Sequence, residues 1–218
     1  MIAAPIVLLV GAVLHPETER DGAGHLAVVA DDPSRYYAAH AILLVGIALF
    51  LPALLGLMHL LRHRATAVGH LGAGLAMIGL FGATAIVAMD GVAVTQMAQP
   101  EANADQMAAL LDRIKDSAGL RGIAVVGALG WLVGMLLLAY GLWRARGVGP
   151  VVSAVIAAAA ITVLIAQATD DQTIFAIAFA LYLVALGPVG WRLLVESDDE
   201  WASGPPAPAT VPTHHGTA

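Results

Sequence analysis

The sequence predicts an all-α membrane protein, a six-helix transmembrane bundle with short amphipathic helices in its two longer outer loops. Three observations predict it. Hydrophobic residues make up 59% of the chain and charged residues only 12%, against roughly 25% charged residues in a soluble domain. The apolar residues gather in long runs separated by short polar stretches, and a run of about 18 or more is a candidate span. Arginines gather beside alternate turns, as the cytoplasmic ends of spans require.

The first apolar run, residues 2–15, has an apolar stretch of about 13 residues, or roughly 20 Å of helix, which is short for a ~30 Å hydrocarbon core. No basic segment precedes it and no small-residue cleavage site follows, so it does not read as a signal peptide, and Met1 reads as an internal start. Five longer spans are expected at 36–61, 70–97, 119–143, 151–167 and 173–195. The transmembrane domain therefore takes up residues 1–196. Residues 197–218, acidic and then rich in Pro, Ala and Thr, read as a disordered cytoplasmic tail.

Arg62, Arg64, Arg144, Arg146 and Arg192 flank the short turns and are expected in the cytoplasm, together with both termini. Arg20, Arg35, Arg113, Lys115 and Arg121 fall on the outer side, so density in short loops decides the orientation. Tyr36 and Tyr37 are expected to anchor the outer interface, and Trp143 and Trp191 the inner one.

In the second outer loop, Met107, Leu110, Leu111 and Ile114 recur at helical spacing with charges between them, the pattern of an amphipathic surface helix. Residues 21–32 carry a shorter version, which Pro33 is expected to terminate. The second, fourth and sixth spans end alike in aromatic and basic residues. That likeness is compatible with three repeated hairpins, and equally with independent interfacial anchoring.

Within lipid, close packing of small residues supplies much of the contact between helices. Gly127, Gly130, Gly134 and Gly141 mark one face of the fourth span, and Gly72, Ala76, Gly79 and Ala83 one face of the third. The latter stripe continues through Ile86 to Asp90, which therefore points into the bundle. Pro52 and Pro188 each remove a backbone hydrogen bond and are expected to bend their spans.

Asp90 is the acidic residue that falls inside a span, and a carboxylate there by default marks a functional pathway or a specific partner. Its candidate neighbours toward the outer face are His15, Arg35, His40 and Arg121. Contact with Arg121 would make a structural ion pair; contact with His15 and His40 would allow proton handling or a divalent metal. His59, His63 and His70 form a second cluster on the inner side, with two imidazoles on one helix face but no carboxylate, so an ordinary interfacial role outweighs a metal site. Haem ligation by His40 and His59 is disfavoured, because the two lie about 28 Å apart along one helix.

The formal charge of −6, without any basic block, gives no footing for nucleic acid. The absence of cysteine excludes disulfides, thiolate-bound clusters and a thiol nucleophile. No hydrolase, phosphate-loop or dinucleotide motif occurs in a suitable context, and no cofactor is expected.

The run LLVGAVLHPETE, followed by HLAVVADDPSRYYAAHAILLVGIALFLPALLGLMHLLR, resembles a group of uncharacterised multi-span bacterial inner-membrane proteins, over residues 6–195. The resemblance implies a bacterial plasma membrane and a complete first helix, and it carries no activity and no site residue. The functional expectation is an accessory or interaction protein of that membrane, partnered by lipid and by a second copy or another membrane protein. The alternatives are a small transporter or proton-coupled carrier using Asp90, and a metal- or haem-binding redox protein.

Overall fold

The computed structural model describes residues 1–146 and 148–197. Eight helices occur among them: α1 (Ala3–Leu14), α2 (Gly22–Asp31), α3 (Pro33–Leu61), α4 (Thr66–Met89), α5 (Ala104–Asp116), α6 (Ala118–Ala145), α7 (Pro150–Thr169) and α8 (Gln172–Val195). The helix of α4 continues through a π turn, Asp90–Val94, into Thr95–Met97. The helical stretches 33–61, 66–97, 118–145, 150–169 and 172–195 are long and apolar enough to cross a membrane. The sixth expected span, α1, is a 12-residue apolar helix, about 18 Å long and so shorter than a bilayer core.

Six helices close into a ring. α1 packs on α3, α3 on α4, α4 on α6, α6 on α7, α7 on α8, and α8 returns to α1. The α4–α6 seam is the most extensive, and its glycines explain why. A Cβ on Gly79 would lie 2.6 Å from the backbone nitrogen of Trp131, and one on Gly130 2.8 Å from the carbonyl of Leu75. One on Gly134 would overlap the Ala76 backbone. Only glycine allows two backbones this close, the spacing logic of helix pairs in lipid. α1 and α3 run antiparallel with the same device, Gly11 against Leu43 and Gly46 against Leu8.

α2 and α5 lie across one end of the ring, hereafter the cap end, and pack on each other. The expected amphipathic helix of the second loop is α5: Asn103 caps it by accepting from the Gln106 amide, Arg113 and Lys115 stand in its last turn, and Leu111 is fully buried. Basic side chains there complement the negative end of the helix dipole. Gly22, at the start of α2, sits against the Ala108 carbonyl and donates its N–H to Asp112 at 2.7 Å. A small second core of Leu26, Val29, Tyr36, Val94 and Leu111 holds the cap to the bundle.

Two sequence expectations need correction at this end. Pro33 does more than end α2. It opens α3, where its lacking N–H costs nothing, while the Asp32 side chain accepts from the Arg35 amide at 3.0 Å. The span therefore starts three residues earlier than expected, at 33 rather than 36. Tyr36 then falls inside the helix and is completely buried rather than anchoring an interface, whereas Tyr37 beside it is half-exposed. Trp143 and Trp191 are exposed on the opposite half of the ring, as interfacial anchors would be. Pro52 and Pro188 sit inside unbroken helices. The predicted tail beyond residue 197 lies outside the described residues, as do His214 and His215.

Candidate functional site

The axis of the ring is filled at one half and hollow at the other. Away from the cap, Leu54, Leu57, Leu61, Leu138, Leu142 and Leu186 are fully buried and close the bundle. Above them Phe50, Trp131 and Tyr182 meet edge to face, with ring centroids 5.0, 5.4 and 5.8 Å apart, the arrangement favoured by aromatic quadrupoles. Phe50 and Trp131 of this layer form the floor of a cavity of about 430 Å³. Its lower wall is apolar, including Leu43, Ile47, Phe50, Val87, Trp131 and Phe179. Its upper wall carries His15, His25, Tyr36, His40, Asp90 and Lys115.

Local structure sets the tautomer of His15 and His40, and a contact with α5 sets that of His25. His40 Nδ1 lies 2.9 Å from the Tyr36 carbonyl one turn earlier, and His15 Nδ1 lies 2.7 Å from the Pro16 carbonyl. A carbonyl only accepts, so in each neutral ring Nδ1 carries the proton and Nε2 keeps its lone pair. The two rings pack together with centroids 4.7 Å apart, and both touch the Tyr36 ring, at 5.3 and 4.3 Å. His25 is the opposite tautomer. The Lys115 ammonium, 3.0 Å away, donates to its Nδ1, so Nε2–H donates to the Tyr36 hydroxyl at 3.0 Å. Burial, and then the positive charge of Lys115, push His25 down to about 4, so its ring is neutral at pH 7. Donors thus run inward in sequence, Lys115 to His25 to Tyr36, and leave the tyrosine O–H to donate to an acceptor inside the site.

Asp90 reaches the cavity wall because it begins the π turn. The wider turn lets Gly91 approach α3 so closely that a Cβ there would stand 2.6 Å from the Cβ of His40, and Thr95 steadies the turn by donating to the Gly91 carbonyl at 2.8 Å. Isolated π turns of this sort recur at functional sites. The Asp90 carboxylate is half-buried, and among the described residues no side chain or backbone group hydrogen-bonds or ion-pairs with it. Lys115 and Asp170 are the charged groups whose fields reach it.

No family, no curated protein and no solved structure matches this chain. The site is therefore read from its own chemistry.

Of the residues singled out in the sequence, Asp90, His15 and His40 do share one cavity. Arg121 lines the cavity mouth, but its guanidinium pairs with Asp116 at 2.6 Å, so the ion pair with Asp90 is not formed. Helix geometry explains this. Ser117 caps α6 and lets the α5–α6 corner turn so tightly that Asp116 falls within reach of Arg121. Arg35 is also elsewhere, its Nε donating to the Leu14 carbonyl at 2.8 Å and so capping the end of α1. At the far end Arg62 binds both His59 and His63, while His70 donates to the Thr66 carbonyl at 2.8 Å. Among the described residues no three His, Cys, Asp or Glu side chains are placed to hold a metal ion. The contact between the His15 and His40 rings leaves no room for a macrocycle between them, as two axial imidazoles would need.

Sequence reasoning missed Tyr36, His25 and Lys115. A signal existed for two of them: Tyr36 precedes His40 by one turn on the same face, and His25 shares a helical stripe with Gly22, Leu26 and Val29.

Proposed function

We propose that this protein is a small carrier of the bacterial plasma membrane, which binds its solute in the cavity beneath the α2–α5 cap and couples binding to a proton on Asp90. One observation carries the reading: a carboxylate on a membrane-crossing helix faces a cavity of about 430 Å³ without a protein partner. An intramembrane carboxylate costs roughly 2.5 to 3.5 kcal/mol on insertion scales, and so is retained where it meets a proton, an ion or a ligand. Here it is faced by His15, by Tyr36 and His40 of α3, by Lys115 of α5, by Arg121 of α6 and by Asp170 after α7. The donor sequence through Lys115, His25 and Tyr36 supplies a proton route from the cap to the cavity. The aromatic floor closes the site toward the opposite end, as alternating access requires of one state.

The arginine pattern supports the orientation, with the cap outward and both termini cytoplasmic, because Arg62, Arg64, Arg144 and Arg192 all sit at the end away from the cap. The sequence resemblance supports the bacterial inner membrane. The test is flux. Proteoliposomes loaded with a pH-sensitive dye are challenged with a panel of cationic, neutral and anionic small solutes. A solute-dependent change in internal pH, present in the wild type and lost in Asp90→Asn, is the expected result. A folded wild type that moves no proton with any member of the panel overturns the reading.

A further inference from the structure

Resting on the carrier reading, we propose that the cavity selects a primary or secondary amine, as its ammonium ion, attached to an apolar body about the size of a short alkyl chain or one ring. Around Asp90 the polar wall is rich in acceptors, while Thr18, Gln167 and Gln172 line it further out. The Asp90 carboxylate has no donor, and His15 and His40 have each given their Nδ1–H to a backbone carbonyl, which turns both Nε2 lone pairs into acceptors. The two cations nearest the mouth are engaged elsewhere, Arg121 with Asp116 and Lys115 with His25 and the Arg20 carbonyl. The Tyr36 hydroxyl is the one donor this network directs inward. A ligand that satisfies the set must bring several N–H groups and a positive charge.

Other classes fit less well. An anion would meet a carboxylate and two lone pairs. A bare divalent metal needs its ligands at about 2.0–2.2 Å, and these three groups do not converge to a common point. A sugar or other wholly polar solute would bury hydroxyls against Ile47, Phe50, Val87 and Phe179, where they find no hydrogen-bond partner. An amine on an apolar stem covers that apolar surface while its ammonium reaches the upper wall. The volume of about 430 Å³ is near the lower end of the roughly 300–1,000 Å³ typical of small-molecule sites.

Calorimetry of the full chain in nanodiscs tests this with three probes that share a short unbranched alkyl chain: hexylammonium, hexyltrimethylammonium and hexanoate. Hexylammonium is expected to bind saturably. The quaternary probe keeps the charge but has no N–H, and loss of charge-assisted hydrogen bonds is expected to weaken it about tenfold or more. Hexanoate is expected not to bind. Asp90→Asn, close in shape, should abolish saturable hexylammonium binding with its melting temperature retained. His15→Gln, at the less buried of the paired rings, should weaken binding about tenfold. Equal binding of the primary and quaternary probes overturns the proposal, as does tighter binding of hexanoate. Stoichiometric zinc that competes with hexylammonium also overturns it. Failure of all three probes while another solute drives Asp90-dependent proton flux refutes the amine and leaves the carrier standing; flux with none refutes the carrier itself.

Discussion

The two halves of the ring are made from the same helices and differ in what those helices put on the axis. In the half away from the cap, α3, α6 and α8 contribute leucines that are fully buried, and Gly72 and Gly134 close the α4–α6 seam between them. In the cap half the same α3 and α4 contribute Tyr36, His40 and Asp90 around an open cavity. Packing of small and aliphatic residues is enough to hold membrane helices together. Closing the packed half does not call on Asp90, and the open carboxylate of the polar half works against stability. One half holds the ring shut so that the other can stay hollow.

The contrast is broken most severely at Gly134. Gly134→Val forces a side chain into the Ala76 backbone, and overpacking of this kind is expected to cost about 3 kcal/mol or more. Thermal unfolding in detergent should show a large drop in melting temperature, with loss of the single symmetric peak in size-exclusion chromatography. A wild-type melt would mean that the seam does not hold the ring.

Acid should loosen the cap before the packed half. The folded His25 titrates at about 4, below the ordinary 6.5, so as pH falls the unfolded cap takes up a proton first. The stability that neutral His25 lends is whole above about pH 6.5 and is lost as pH falls toward about 4. Hydrogen exchange at pH 7 and pH 5, corrected for intrinsic rates, should show amides of α2 and α5 losing protection while those of the α4–α6 seam keep it. Equal loss in both regions would show that the halves are not separable. The smallest effect is expected at Gly74, on the same helix as the seam but with nothing within 4 Å of a built Cβ. Gly74→Ala should add about 0.5–1 kcal/mol of helix propensity, read as a slight rise in melting temperature.

Much of this was legible from residue order. The amphipathic pattern of Met107, Leu110, Leu111 and Ile114 located α5, and the small-residue stripe of α4 aimed Asp90 into the bundle. His40 of α3 is a candidate neighbour of Asp90 because it lies toward the same outer end of its span. What residue order did not supply was the partner of each polar group. Asp90 with Arg121 and Asp90 with the histidines were equally compatible with depth, and the decision came from a capped corner at Ser117 that delivered Arg121 to Asp116. Tyr36 looked like an interfacial anchor because Tyr37 stands beside it; the start of α3 at Pro33 turned the first inward and the second outward.

By itself, then, the sequence determined the long apolar helices, the amphipathic cap and the faces that pack, since these follow from hydrophobic run length and helical period, which are local. The tertiary structure decided that the His15 and His40 rings meet, that His25 bridges Lys115 and Tyr36, and that Asp90 faces a cavity. Each of these joins side chains from different helices, and no periodicity in one segment encodes a contact that exists only when the ring closes.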